Sequence, residues 1–232
     1  MIVLGIETAT TQVGCALGGV EGVLASFHSA RDRRHAETLT PAIDFIAKQA
    51  RVELREISVV AVDIGPGLFT GLRVGIAAGK AIASALRVPM IGLSSLDLLA
   101  FPVRHSDRLI VPVIDARRGE VFTSMYRQVP GGLQRVDPYR VMTPQELASE
   151  LQARSENALL VGDGALRYQE LFGEFNNLEL GQFGFAHPSA AALVELAQPK
   201  ALREEFVQPW ELEPLYLRKS DAEINWDVRE RA

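Results

Sequence analysis

The chain has 232 residues, of which 47% are hydrophobic and 23% charged, as in ordinary globular proteins. Its net charge of −5 argues against unaided nucleic-acid binding, because affinity for phosphates comes from clustered lysine and arginine. No apolar run approaches the roughly 18–20 residues that span a bilayer, and one cysteine, Cys15, excludes an intrachain disulfide. The start, MIVLGIETAT, is typical of a first strand and not of a signal peptide. We therefore expect a cytoplasmic protein of one or two domains.

The first hundred residues predict an alternation of strands and helices. Apolar runs predict strands at 2–6, 13–17, 23–27, 57–64 and 89–93. Helical spacing of apolar residues predicts helices at about 36–50 and from a glycine-rich loop to about 86, with another beginning at 95. The run ISVVAVDI at 57–64 is rich in β-branched residues, which is typical of a strand covered on both faces.

The second half restarts the same pattern. An apolar strand at 109–115 ends in an acid and is followed by a turn and a strand at 121–126, just as strand 2–6 ends at Glu7. A helix at 144–153 capped by Thr143, a strand at 159–161 and a helix at 189–197 follow. We interpret this as a duplicated unit of about 100 residues. The predicted fold is α/β with two lobes, 1–104 (joined by about 208–225) and 105–207.

The clearest motif is GPGLFTGLRVG at 65–75, where a buried strand ends and a helix begins. Glycines there permit close backbone approach, and the helix start offers free amides to an anion. The spacing is not a dinucleotide-binding fingerprint, since the third glycine would fall at Thr70. It is not a phosphate-binding P-loop either, because Gly79 and Lys80 are followed by Ala81. Phosphate contact and a purely packing role both remain open.

Within the following helix Gly71, Gly75 and Gly79 recur every four residues. Each glycine inside a helix costs about 1 kcal/mol relative to alanine, so three of them need a compensating close contact. The smooth groove that they form lets another element approach closely. That element is either the protein's own sheet or a second subunit.

Acids and hydroxyls follow the first strand of each half. Glu7, Thr8 and Thr10 could hold phosphate and a metal-bound water, or the hydroxyls could satisfy their own backbone. Asp115 stands at the matching place, followed by Arg117 and Arg118. That arginine pair could neutralise phosphates or form a salt bridge with Glu120, although we favour solvated surface for it and for the cluster Arg31, Arg33 and Arg34. No two of the four histidines have the spacing of a helical metal site.

Together these stretches resemble the TsaB (YeaZ) family of bacterial tRNA threonylcarbamoyladenosine biosynthesis proteins. The matching stretches are GIETAT at 5–10, RHAETLTPAI at 34–43, GPGLFTGLRVGIAAGKAIA at 65–83, PMIGLSSLDLLA at 89–100, IDARRGEVF at 114–122 and PLYLR at 214–218. The resemblance covers nearly the whole chain. It implies an actin-like (ASKHA) fold of two ribonuclease-H-like lobes with mixed sheets flanked by helices.

The resemblance also implies a non-catalytic subunit that dimerises with a catalytic paralogue, TsaD. That paralogue forms N6-threonylcarbamoyladenosine next to the anticodon of tRNAs reading codons that begin with A, and an ATPase, TsaE, joins them. The paralogue carries a metal-binding HxxxH after the equivalent helix and strand, where this chain has Ser95 and Leu99. Leucine cannot ligate a metal. Glu7 and Leu68 replace the aspartate and serine more usual in the family, which weakens phosphate binding here.

From these inferences we predict two sets of functional residues. The predicted partner interface on the two helices is His35, Leu39, Ala42, Ile46, Gly71, Val74, Gly75, Ala78, Gly79 and Ile82. The predicted vestigial nucleotide or phosphate loops contain Glu7, Thr8, Thr10, Gly65, Gly67 and Asp115. We expect no cofactor or metal on this chain alone, with ATP and a metal ion on partner subunits, and tRNA reached through the complex.

Three alternatives stay open. The chain could be a free-standing small actin-like ATPase or phosphotransferase, with Glu7 and Asp115 holding nucleotide. It could be a glycoprotease, although neither a zinc site nor a nucleophile is visible in the sequence. When alone, it could also form a homodimer through the helix pair that binds the paralogue.

Overall fold

The computed structural model describes residues 1–30 and 35–218. The strands in these residues are β1 (Ile2–Glu7), β2 (Val13–Gly19), β3 (Gly22–Ser29), β4 (Ile57–Gly65), β5 (Met90–Ser94), β6 (Leu109–Arg117), β7 (Glu120–Thr123), β8 (Tyr126–Val129), β9 (Gly132–Arg135), β10 (Arg140–Met142), β11 (Ala158–Val161) and β12 (Leu178–Leu180). The α-helices are α1 (His35–Ala50), α2 (Phe69–Leu86), α3 (Ser95–Ala100), α4 (Pro144–Arg154), α5 (Asp163–Arg167), α6 (Gln169–Phe172) and α7 (Ala190–Leu202). The predicted cluster Arg31, Arg33 and Arg34 and the tail from Lys219 lie outside the described residues.

Two sheets carry the same strand order. The first runs β3-β2-β1-β4-β5, and the second contains the path β10-β7-β6-β11-β12. In each, the first strand of the lobe pairs antiparallel with its successor and parallel with the strand that follows a helix. The predicted duplication is therefore confirmed. Parallel neighbours place the ends of β1 and β4, and of β6 and β11, side by side.

One predicted strand is wrong in its bounds. The strand predicted at 121–126 is divided into β7 and β8, because pairing with β6 is interrupted opposite Pro112, which has no amide hydrogen. The Thr123 hydroxyl donates a hydrogen bond to the Pro112 carbonyl at 2.8 Å. The chain leaves the sheet there and pairs again at Tyr126.

Helices cover both faces of the first sheet. On one face α1 and α2 bury an apolar cluster, to which α1 contributes Leu39, Ile43 and Ile46. Burying each of these side chains contributes roughly 1.5–3 kcal/mol, so packing holds α1 in place more than helix propensity does. On the other face α7 packs Leu193 and Val194 against β1 and β4. This explains why ISVVAVDI lacks a polar face.

The position of α7 corrects the predicted lobe boundary. The range 105–207 assigned α7 to the second lobe, but its buried side chains belong to the core of the first sheet. The segment after α7 also returns to the first lobe, where Val207 pairs with Met90 and Leu215 with Ile64. Sequence periodicity marks a helix's apolar face without marking which sheet receives it. Of the predicted returning segment, residues 219–225 lie outside the described residues.

The two lobes meet at α3. The hydroxyls of Tyr126 and Tyr139, from the second lobe, donate to the Asp97 carboxylate at 2.7 and 2.9 Å. Leu96 and Leu99 pack in an apolar cluster that also contains Ile110 and Ile114 of β6. Throughout residues 1–30 and 35–218, no helix has the length and apolar character that a membrane crossing requires.

Candidate functional site

The glycine column of α2 faces the protein's own first sheet. A Cβ added at Gly71 would lie 2.2 Å from the Thr8 carbonyl oxygen, and one at Gly75 would lie 2.2 Å from the Thr8 hydroxyl. A Cβ at Gly79 would lie 2.5 Å from Val62. These distances leave no room for a side chain. Of the two elements that could fill the groove, the sheet occupies it.

The predicted interface residues therefore need correction. Seven of the ten are buried in the core of the first lobe: His35, Leu39, Ala42, Ile46, Gly71, Gly75 and Gly79. Val74, Ala78 and Ile82 are half-buried on the flank of α2. Buried side chains offer no surface to a partner, although an interface on this helix pair stays a prediction.

A different set of side chains faces outward from the same two helices. On α2 the exposed residues are Thr70, Arg73, Ala77, Ala81, Ser84 and Ala85, and on α1 they include Pro41, Asp44, Phe45 and Lys48. We call these residues the outer helix face. Phe45 is 53% exposed and gives this face a large apolar side chain. Small residues beside it allow the close approach of another helix.

The turn after β1 is sealed inside the lobe. The Thr8 hydroxyl donates to the Gly71 carbonyl at 2.8 Å, and the Leu68 amide donates to the Ala9 carbonyl at 2.7 Å. Thr10 lies within hydrogen-bond distance of two histidine rings, with its carbonyl 3.0 Å from His35 Nε2 and its hydroxyl 3.2 Å from His187 Nδ1. Because these hydroxyls serve the fold, they are not presented to a ligand.

A buried pair of carboxyl groups, which the sequence reasoning missed, closes the first sheet. Glu7 and Asp63 end adjacent parallel strands, and both are almost completely buried. The Asp63 carboxylate accepts hydrogen bonds from the Ser95 hydroxyl at 2.6 Å and the Gly65 amide at 2.8 Å. Glu7 Oε2 and Asp63 Oδ2 have no hydrogen-bond partner. The available signal was the one acid that interrupts the apolar run ISVVAVDI.

Burial dominates the electrostatics of this pair. Desolvation raises the pKa of Asp63 to about 7, while its hydrogen bonds from Ser95 and Gly65 act in the opposite direction. Desolvation, followed by the negative charge of Asp63, raises the pKa of Glu7 well above its ordinary value. Two carboxylates this close and this dry do not both ionise at neutral pH. The pair therefore keeps at least one proton, as an interior structural element would.

Ser95 and Leu99 lie in the interior. Ser95 is committed to Asp63, and Leu99 packs in the apolar cluster between the lobes. Within the described residues, no group of three or more histidine, cysteine, aspartate or glutamate side chains is arranged to hold a metal ion. Cys15 is buried, and desolvation raises the pKa of its thiol to about 12, so it is a poor nucleophile at neutral pH.

The matching strand end of the second lobe faces a cleft. Asp115 forms ion pairs with Arg117 at 3.0 Å and Arg167 at 3.2 Å. Its amide donates to the Asp163 carboxylate at 3.0 Å. Desolvation raises the pKa of Asp163 to about 6, and the positive charge of Arg117 opposes that rise.

The cleft between the lobes has a volume of about 300 Å³. It is lined by Pro66, Gly67, Leu68, Phe69, Thr70, Asp115, Ala116, Arg117, Phe122, Leu215, Tyr216, Leu217 and Arg218. Of the predicted phosphate-loop residues the structure brings Gly67 and Asp115 to this cleft. Glu7, Thr8 and Thr10 are not among its walls. The predicted phosphate site is thus divided between an open half and a sealed half.

Two mixed sheets of the same order, flanked by helices and separated by a cleft, define an actin-like fold of two ribonuclease-H-like lobes. The family model described as TsaD, tRNA N6-adenosine threonylcarbamoyltransferase, matches residues 22–226. The chain belongs to this family, and the relatives it resembles include proteins named TsaB and YeaZ.

Three comparisons illustrate the likeness. The tRNA threonylcarbamoyladenosine biosynthesis protein TsaB of Bacillus subtilis is 29% identical, over 97% of this chain and 98% of that protein. YeaZ from Pseudomonas aeruginosa superposes with a TM-score of 0.81 at 27% identity, covering 93% of this chain and 99% of that one. Another structure, described as an uncharacterized protein with similarity to peptidase YEAZ from Pseudomonas aeruginosa, gives 0.81 at 28% identity, covering 94% and 99%. These relatives support a role in tRNA threonylcarbamoyladenosine biosynthesis.

Proposed function

We propose that this chain is a non-catalytic subunit that activates a TsaD-type paralogue by binding it through the outer helix face. One observation carries the proposal. The polar side chains at the ends of β1 and β4 that could take part in catalysis are buried and hydrogen-bonded inside the first lobe. Thr8, Glu7 and Asp63 serve the fold. The helices above them present small side chains and an exposed Phe45 instead. Such a surface suits helix-to-helix docking more than catalysis.

In this proposal the partners supply the chemistry. ATP and a metal ion are held by a TsaD-type paralogue and a TsaE-type ATPase, and tRNA is reached through the complex in the cytoplasm. The net charge of −5 fits a chain that does not bind tRNA alone.

The experiment is a reconstituted tRNA modification assay with each component omitted in turn. The chain alone should neither hydrolyse ATP nor modify tRNA, and leaving it out should abolish modification. Full activity of the paralogue without this chain would contradict the proposal. Modification by this chain alone would do so as well.

The docking surface is tested by placing a large charge on it. Ala77→Arg should prevent co-purification with the paralogue while leaving the unfolding midpoint unchanged, because the side chain points away from the core. Ala153→Arg is the matched control, an exposed alanine on α4 of the second lobe. Equal association of the two variants would remove the outer helix face from the proposal.

The cleft supports one alternative, in which the chain is a free-standing small actin-like ATPase or phosphotransferase. Gly67 and Asp115 line a volume that could hold part of a nucleotide. Tight ATP binding by the isolated chain, measured by calorimetry and lost in Asp115→Asn, would favour this alternative.

Size-exclusion chromatography of the isolated chain tests a homodimer through the outer helix face, which Ala77→Arg should then dissociate.

A further inference from the structure

Four consecutive residues cross the cleft between the lobes and contact both of them. We call residues 215–218 the strap. They line the cleft together with the turn that carries Asp115 and Arg117. The contacts divide evenly along the strap, with the first two residues on the first lobe and the last two at the second.

The first half of the strap is fixed to the end of β4 and the start of α2. The Leu215 amide donates to the Ile64 carbonyl at 2.7 Å. The Tyr216 ring lies 5.2 Å from the Phe69 ring, centroid to centroid, at a tilt of 31°. Arg73 lies 3.9 Å above the same Phe69 ring, and its Nε donates to the Tyr216 hydroxyl at 3.4 Å. Aromatic and cation–π contacts of this kind hold Tyr216 against the start of α2.

The second half of the strap belongs to the second lobe. Leu217 packs against the apolar cluster that includes Ile114, Ala116 and Phe122. The Arg218 guanidinium donates to the Glu120 carboxylate on β7 at 2.7 Å. The two side chains are 22% and 35% exposed, so water screens this ion pair less than a fully exposed one.

We propose that the strap is a latch that holds the two lobes at a fixed opening and forms part of the wall of the cleft. The joint at α3 is buried and hydrogen-bonded through Asp97, so it can act as the hinge when the strap is released. The strap consists of few contacts and one ion pair, so it opens at a lower cost than either sheet. A ligand that fills the cleft would contact Tyr216, which lines it. This device belongs to the chain itself and does not depend on the proposed function.

The experiment is hydrogen–deuterium exchange of the full chain, read by mass spectrometry. Arg218→Ala should speed exchange about three- to tenfold in peptides covering 212–218 and 65–70, because the second lobe no longer holds the strap. Peptides from β2 and β11 should be unchanged. Arg127→Ala is the matched control, since it removes an ion pair with Glu156 inside the second lobe and should leave the strap protected.

A charge reversal separates a latch from general destabilisation. Glu120→Arg combined with Arg218→Glu restores an ion pair of opposite sense and should recover the protection lost in Arg218→Ala. Unchanged exchange in the strap of Arg218→Ala would overturn the proposal. Faster exchange that is uniform over both sheets, or that the reversed pair does not reduce, would overturn it too.

The opening itself can be measured by spin-label distances. Cys15 is buried, and it is the only cysteine, so labels at Ser84→Cys and Ala153→Cys report one exposed site on each lobe. Arg218→Ala should broaden or shift the distance distribution between them. An identical distribution with and without Arg218 would show that the strap does not set the lobe opening.

Discussion

The ends of β1 and β6 occupy the same place in two sheets of the same order, yet their surroundings are opposite. Glu7 and its turn are sealed beneath α2, beside a second buried acid and without a basic partner among the hydrogen bonds and ion pairs of the described residues. Asp115 faces the cleft and is paired with Arg117 and Arg167. One copy of the duplicated turn is part of the core, while the other lines the cleft, with Asp115 itself only 5% exposed and paired with two arginines.

The difference is explained by the helix that follows the neighbouring parallel strand, which is β4 in the first lobe and β11 in the second. In the first lobe α2 is 18 residues long, and its glycine column lets it lie directly on the β1 turn. In the second lobe Gly162 and Gly164 approach the end of β6 in a similar way, but α5 has only five residues. A helix that short cannot cover the turn. Its Arg167 reaches Asp115 instead.

The largest effect is expected from breaking the seal over the first turn. Gly75→Leu would place side-chain atoms where the Thr8 hydroxyl lies, and should reduce the free energy of unfolding by about 3 kcal/mol or more. Ala77→Leu, two residues along on the exposed side of α2, should change it by less than about 0.5 kcal/mol. Chemical denaturation measures both. Equal losses would show that α2 does not pack as described.

The next largest effect is expected on the pH dependence of stability, through the proton held by Glu7 and Asp63. Burial raises the pKa of Asp63 to about 7, so the folded state binds more protons than the unfolded state between pH about 4 and 7. Stability conferred by that proton is therefore lost as pH rises through this window, with a slope of up to ~1.4 kcal/mol per pH unit. Asp63→Asn should remove this pH dependence. The free energy of unfolding of the variant, relative to that of the wild type, should therefore increase as pH increases.

Denaturation midpoints between pH 4 and 8 test this prediction. Glu7→Gln should change the profile in the same direction, because desolvation, followed by the negative charge of Asp63, raises the pKa of Glu7 as well. Wild-type and variant curves that run parallel throughout the window would mean that the pair carries no such proton.

A smaller effect is expected on the pKa of Asp163. Removing a basic neighbour makes the pair Asp115 and Asp163 resemble the buried pair Glu7 and Asp63. Arg117→Ala removes a positive charge that opposes the raised pKa of Asp163. That pKa should then rise from about 6 by about half a unit to one unit. Carbon-13 titration of the carboxyl groups by NMR measures the change. Arg127→Ala is the control, and an equal shift there would remove Arg117 as the cause.

The smallest effect is expected at the most solvated partner of Asp115. The Arg167 side chain is 55% exposed, so water and salt screen its ion pair. Arg167→Ala should change the melting temperature by less than about 3 °C. A larger fall would indicate that the second turn depends on its arginines as strongly as the first depends on its seal.

Much of this comparison could be predicted from the sequence, because strand endings are local features. The acids after strands 2–6 and 109–115 and the repeated pattern identified the duplication. The Gly71–Gly75–Gly79 spacing predicted a close contact but not which element makes it. A column of glycines can pack equally closely against the protein's own sheet and against a partner. Asp63 was missed because its significance arises only when β4 lies beside β1. The same reason applies to α7, whose packing partner is set by tertiary contacts.

The glycine column also bears on how function is transferred between relatives. The stretch at 65–75 makes the chain recognisable, but Gly71 and Gly75 leave space for Thr8 in the turn after β1, and Gly79 leaves space for Val62 of β4. The glycines of this motif therefore meet a packing requirement inside the first lobe, and a relative that shares them is expected to share this packing. In the function proposed above, activity depends instead on outward positions such as Phe45 and Ala77. An activity assigned to this chain from the motif alone would credit chemistry to residues that hold the fold together.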